Sequence, residues 1–116
     1  MKYHTIDLNG KEYNFRLTVN DIESIERKLN VKILDYIQDY SIITTVHLLQ
    51  KMWKHEDGHA TSHEEAAELF EELVDNGWAL QDIAQNIVWQ TCVVSGLLRQ
   101  SDLNKALEKQ NQATQN

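Results

Sequence analysis

Cysteine is scarce in this sequence, and long apolar runs are missing from it. The single cysteine among 116 residues, Cys92, has no partner for an internal disulfide, and in its apolar stretch a reduced thiol acts as a small hydrophobic side chain. No run of about 18 apolar residues is present to cross a bilayer, and the N-terminal residues lack the apolar core of a secretory signal. We therefore expect a soluble protein of a reducing cytoplasm, with no membrane partner.

Basic residues are also few, and glycines are isolated. Eleven Lys and Arg face eighteen Asp and Glu, giving a net charge of -7, and the bases are scattered, which disfavours nucleic-acid binding. The four separate glycines exclude a glycine-rich phosphate loop. The acids concentrate in residues 64–75 with no base among them, which indicates a solvated helix face or, alternatively, steering toward a basic partner.

The N-terminus carries the pattern of a β-hairpin over residues 3–18. Asn9-Gly10 favours a type I′ turn between two alternating segments, and counting outward from it pairs Ile6 with Tyr13 and His4 with Phe15. A two-stranded ribbon is marginal in water, so we expect it to pack on helices or to gain strands from another chain.

Helical patterns fill the rest of the chain. The first helix starts at a Thr18 cap or an Asn20 capping box and stops at Asn30, with Ile22, Ile25 and Leu29 buried. Further helices are predicted over residues 32–40, 42–54, 61–76 and 80–98, with a loop at 55–60. The helix at 32–40 should bury Ile33, Leu34 and Ile37. The helix at 42–54 should bury Ile42, Val46, Leu49 and Trp53.

The predicted fold is α+β and mainly helical, with the N-terminal β-hairpin packed on four to five helices. We expect a single globular domain over residues 1–100 and a polar, flexible tail over 101–116, in which Leu103, Ala106 and Leu107 form only a weak helical extension.

The last predicted helix has a second apolar face from Trp89 onward. Its members are Trp89, Cys92, Val93 and Leu97, with Gly96 allowing close approach of another backbone. Two interpretations are open: these residues are core or a homo-oligomer interface, or they bind a partner protein.

Three histidines near residue 60 have a spacing that is found in metal sites. His55, His59 and His63 repeat every four residues and could hold zinc. Gly58 and the following cap break the helix, however, so solvated loop histidines are favoured, and no metal, cofactor or catalytic residue is predicted.

Residues 79–84 followed by 93–95 resemble a helix-turn-helix with its turn near Val88, which leaves a DNA-binding regulator as the alternative function.

Residues 15–30, FRLTVNDIESIERKLN, resemble the opening of the small tail assembly chaperones of long-tailed bacteriophages, prophages and gene transfer agents. The order of later elements is similar too, with an aromatic and basic segment at 52–55 and a Thr/Ser-x-x-Glu-Ala helix start at 61–66, so the likeness spans residues 11–98. It implies a non-enzymatic protein of the bacterial host cytoplasm that covers apolar helical stretches of the tape measure protein before tail tube protein polymerises around it. In that family a frameshifted, longer product adds a tube-binding segment.

Overall fold

The computed structural model describes residues 2–114, with side chains described as far as residue 109. Three antiparallel strands form one sheet in the order β1-β2-β3, namely β1 (His4–Leu8), β2 (Lys11–Phe15) and β3 (Trp53–Lys54). The helices are α1 (Val19–Leu29), α2 (Ile33–Tyr36), α3 (Ile42–Met52), α4 (His63–Asp75), α5 (Leu80–Ile83), a π-helical segment (Ala84–Trp89), α6 (Gln90–Val94) and α7 (Gln100–Thr114). The predicted fold class, α+β and mainly helical, is confirmed.

The hairpin has the predicted register. His4 pairs with Phe15 and Ile6 with Tyr13, and the turn residues Asn9 and Gly10 have φ of 55° and 84°, as a type I′ turn requires. Tyr13 and Phe15 are buried on the face that meets the helices.

A third strand, which the sequence did not predict, protects the open edge of β2. Phe15 pairs with Trp53, and the amide of Arg16 donates to the carbonyl of Met52 at 2.9 Å. Helix α3 therefore ends at Met52 rather than at residue 54, and the hairpin gains its extra strand from its own chain.

Helix α1 begins at the first of its two candidate caps. The Thr18 hydroxyl accepts from the amide of Asp21, and the Asp21 carboxylate accepts from the amide of Thr18. Asn30 ends the helix with φ of 52°, as expected. Ile25 is buried, but the predicted burial of Leu29 is wrong, since this side chain is 44 % exposed in the last turn.

The burial predicted for α2 and α3 needs correction. Helix α2 is only four residues long and buries Ile33, with Ile37 buried just after it, whereas Leu34 points outward and is 44 % exposed. In α3, Ile42 is 59 % exposed, and Thr44 and Thr45 are buried instead.

Hydrogen bonds explain how two threonines replace an isoleucine in the core. The hydroxyl of Thr44 donates to Asp39 at 2.8 Å, and that of Thr45 donates to the carbonyl of Ser41 at 2.9 Å. A polar group can be buried at little cost when it is bonded in this way. Ser41 also caps the helix, because its hydroxyl accepts from the amide of Thr44 at 3.1 Å.

Helix α4 matches its prediction closely. Ser62 and Glu65 form a capping box, and the helix ends at Asn76 before Gly77, whose φ is 92°. Ala66, Leu69 and Leu73 are buried, while Phe70 is partly buried.

Residues 80–94 form one continuous helical run through α5, the π-helical segment and α6. The turn predicted near Val88 for a helix-turn-helix is therefore wrong, because Val88 lies within the π-helical segment and is 1 % exposed. The run also ends at Val94, four residues before the predicted end at 98, and Gly96 follows with φ of 87°.

The core joins the sheet to all the longer helices. Phe15 of β2 and Leu49 and Met52 of α3 are fully buried within it. Helix α7 reaches this core through Leu103, which is 2 % exposed, while Ala106 and Leu107 are partly buried, so this helix begins as part of the globular unit. The last two residues of the predicted tail, 115 and 116, lie outside the described residues. Over residues 2–114, none of the helices has both the length and the apolar character that a membrane span requires.

Candidate functional site

An apolar groove lies between α2 and α7, and the end of the π-helical segment forms its floor. Its volume is 220 Å³. It is lined by Leu34, Ile37, Gln38, Trp89, Leu98, Asp102, Leu103 and Ala106. Six of these eight residues are apolar, so the groove suits an apolar side chain better than a polar ligand.

Trp89 fixes the geometry of this groove. Its indole Nε1 donates to the carbonyl of Ile37 at 2.9 Å, which ties the π-helical segment to the end of α2. The ring of Tyr40 lies beside the indole, with 5.9 Å between ring centroids. Leu34 stands at the rim, where its partial exposure gives a partner something to contact.

The predicted partner-binding residues separate in the structure. Trp89 is 6 % exposed and Cys92 fully buried, Val93 and Leu97 are partly buried, and Gly96 is exposed. Of the five, only Trp89 lines the groove. Their role in binding a partner stays a prediction, but Cys92 offers a partner no surface in this conformation.

Gly96 has a conformational role besides the predicted one, which stays a prediction. A Cβ at this position would meet no atom within 4 Å, so no backbone approaches it closely among the described residues. Its φ of 87° instead lets the chain leave α6, and the next amide, that of Leu97, donates to the carbonyl of Cys92 at 2.8 Å.

Cys92 has the surroundings of a core thiol. Burial raises its pKa to about 12, so the thiol stays protonated at neutral pH. A thiol in this state is a poor nucleophile.

A second cluster forms where the loop after β3 meets the first turn of α4. His55 Nε2 lies 3.3 Å from Glu65 Oε2, and His59 Nε2 lies 3.4 Å from the same oxygen. The ligand atoms of these three residues all lie within 4.8 Å of one another. Of the three histidines that the spacing suggested, the structure thus brings together His55 and His59, and Glu65 takes the place of His63.

Hydrogen bonds hold two members of this cluster, His59 and Glu65. His59 Nδ1 is 2.5 Å from Asp57 Oδ1, and Glu65 Oε1 accepts from the amide of Ser62 at 3.0 Å. The hydrogen bond to Asp57 is the largest cause of a raised pKa at His59, and the bond from the Ser62 amide is the largest cause of a lowered pKa at Glu65.

The acidic segment of α4 mostly faces solvent. Four of its carboxylates are exposed, those of Glu64, Glu68, Glu71 and Asp75, while Glu65 and Glu72 are half-buried. Glu65 and Glu72 also have partners within the chain, the first in the histidine cluster and the second at the hydroxyl of Tyr13, 3.4 Å away. The prediction of a solvated helix face therefore fits the four exposed carboxylates.

Comparisons of the chain with protein-family models, with curated proteins and with solved structures found no match. The groove and the histidine cluster must therefore be interpreted from their own geometry.

Sequence patterns missed most of the groove. Leu34 was predicted to be core, and it lies far in the sequence from Leu98 and Leu103, which it meets only in the folded chain. A sequence signal for Glu65 did exist: at the third position of a capping box, its side chain turns back toward the preceding loop, where His55 and His59 lie.

Proposed function

We propose that this protein is a non-enzymatic tail assembly chaperone, which binds apolar helical stretches of a phage tape measure protein and helps tail tube polymerisation. The observation that carries the proposal is the apolar groove between α2 and α7, with Trp89 on its floor. The resemblance of residues 11–98 supplies the identity of the partner.

The groove is suited to helix recognition. An amphipathic helix binds such a groove through apolar side chains spaced three or four residues apart. One aliphatic anchor that becomes fully buried contributes about 1.5–3 kcal/mol, so a single groove supports weak and reversible binding. Reversibility is what a chaperone needs, because its partner must later be released to the tube.

Other apolar side chains on the surface extend the area available to a long partner. Val19 is 69 % exposed and Ile43 is 83 % exposed, each at the first turn of its helix. Large aliphatic side chains at this exposure lose unfavourable contact with water when a partner covers them. They are secondary sites in the proposal, and the exposed acids of α4 would add attraction toward basic segments.

The alternative, a DNA-binding regulator, gains no support from residues 80–94. A helix-turn-helix needs a turn before its recognition helix, and this segment is a continuous helical run. Purified protein that retained duplex DNA at low salt would favour the alternative over the chaperone.

Co-expression with the tape measure protein tests the proposal. We expect the full-length chain to keep that protein soluble and to co-purify with it. Leu34→Gln should weaken co-purification, because it places an amide at the rim of the groove. Val74→Gln is the matched control, since Val74 is 46 % exposed against 44 % for Leu34 but lies on α4 and does not line the groove. Equal solubility with and without the chain would contradict the proposal.

A further inference from the structure

We propose that His55, His59 and Glu65 form a binding site for one Zn²⁺ ion, which links the loop after β3 to the first turn of α4. The site does not depend on the proposed chaperone function. It rests on the placement of three ligand atoms and on the contacts that orient them.

The distances fit zinc coordination. Zinc binds histidine nitrogen at about 2.0–2.1 Å and carboxylate oxygen at about 2.0–2.2 Å, so two such ligands at a tetrahedral angle are about 3.3–3.5 Å apart. Glu65 Oε2 lies 3.3 Å from His55 Nε2 and 3.4 Å from His59 Nε2. Two of the three distances between the ligand atoms therefore already have the length that tetrahedral coordination requires.

The partner of His59 selects the correct nitrogen for the metal. In the metal-free chain Nε2 is hydrogen-bonded to Glu65 Oε2 at 3.4 Å, so the ion would displace the proton of Nε2 while Nδ1 goes on donating to Asp57 Oδ1. Asp57 is itself held by the amide of His59 at 3.0 Å. A carboxylate that fixes the tautomer of a histidine ligand is a common second layer of zinc sites.

His55 supplies a nitrogen that the rest of the described chain leaves unsatisfied. Its Nε2 is buried and has no aligned hydrogen bond to the described residues, although Glu65 Oε2 is close. Its ring stacks on that of His59, with 3.9 Å between ring centroids, and lies at a tilt against the ring of Trp53, with 4.4 Å between centroids. A buried acceptor without a partner costs free energy, and a metal ion would satisfy it.

Charge also favours a dication. With both imidazoles neutral, as metal binding requires, the cluster and the carboxylates of Glu65 and Asp57 carry a charge of about -2, which Zn²⁺ neutralises. Three protein ligands leave a fourth position, which water would fill.

One local change must accompany binding. The planes of the two imidazoles are only 15° apart, and an ion has to lie in both planes, so the stack must open. His59 is the ring that can move, because its side chain is 49 % exposed while that of His55 is 15 % exposed. Zinc should therefore shift the ring signals of His59 more than those of His55.

Calorimetry on the full chain, purified without a histidine tag and stripped of metal by a chelator, tests the site with Zn²⁺ alone. We expect one ion per chain. His59→Gln should weaken binding at least tenfold, and Asp57→Asn about 10- to 100-fold, as found when carboxylates behind metal-bound histidines are removed. Glu65→Gln should also weaken it, while its amide keeps the capping box, since Gln serves in that position too.

His63→Gln is the matched control, because this neighbouring histidine lies outside the cluster and its loss should leave affinity unchanged. Circular dichroism of each variant separates lost binding from lost folding. In the native chain, Co²⁺ in place of Zn²⁺ should give the visible absorption of a tetrahedral site. Absence of stoichiometric Zn²⁺ binding by the folded native chain, or loss of binding in His63→Gln with retention in His59→Gln, would overturn the inference.

Discussion

Trp89→Phe should destabilise the protein by about 2–4 kcal/mol while leaving it folded. The indole donates a buried hydrogen bond to the Ile37 carbonyl at 2.9 Å, and phenylalanine leaves that acceptor without its donor, at a cost of about 1–3 kcal/mol. The smaller ring also gives up buried apolar surface worth about 1 kcal/mol. A domain of this size typically has about 5–15 kcal/mol of stability, so a folded majority should remain.

Urea unfolding followed by far-ultraviolet circular dichroism measures this loss. Trp78→Phe is the control, because it makes the same chemical change at a half-buried side chain and should cost less than about 1 kcal/mol. The slope of the free energy of unfolding against urea should stay the same in both variants. A loss below about 1 kcal/mol in Trp89→Phe, or equal losses in the two variants, would refute the role of the indole in joining α2 to the π-helical segment.

Three further predictions follow from single contacts. Ser62→Ala should lower the free energy of unfolding by about 1 kcal/mol, because it removes the hydroxyl that accepts from the amide of Glu65; Ser101→Ala, at an exposed position, should change it little in the same urea assay. Cys92 should stay unmodified by a thiol reagent in the native protein and react fully after denaturation; fast native reaction would contradict its burial. His47→Gln should reduce the loss of stability on acidification. Burial first, and then the charge of Lys51, lowers the pKa of His47 in the folded chain from 6.5, so the unfolded chain binds more protons as pH falls from about 6.5 through the folded-state pKa. Parallel pH profiles of stability for the two proteins would rule this out.

Local features of the fold were predictable from the sequence because their causes are local. The Asn9-Gly10 turn sets the hairpin register, and the capping boxes at Thr18 and Ser62 need only residues three positions apart. Two competing caps near the start of α1 could not be ranked without the structure, in which Asp21 completes the box with Thr18.

Features that depend on distant partners were not predictable. Strand β3 has two residues and no alternating pattern, and it exists because β2 offers an edge to it. The burial of Thr44 depends on Asp39, which lies before the helix and bonds its hydroxyl. A prediction of buried helix positions from apolar residues alone leaves out such a threonine, because the hydrogen bond that lowers its cost of burial is not visible in the sequence.

Each of the two candidate sites also combines a local feature, which the sequence indicated, with distant partners that it did not. Trp89 stood out in the sequence as part of an apolar face, but the opposite walls of its groove come from α2 and α7. The four-residue spacing pointed to His55, His59 and His63 together. The Ser62 cap starts a new helix before His63, and the capping box directs Glu65 to the two loop histidines instead.

The most direct test of the groove as the partner site is a nuclear magnetic resonance titration of the isotope-labelled full chain with an amphipathic helical peptide from the tape measure protein. We expect saturable shifts of the Trp89 indole N–H and the Leu34 methyl groups, with the Val74 methyl groups unmoved. A peptide that leaves every signal in place, or that shifts Val74 while Trp89 and Leu34 stay fixed, would contradict it.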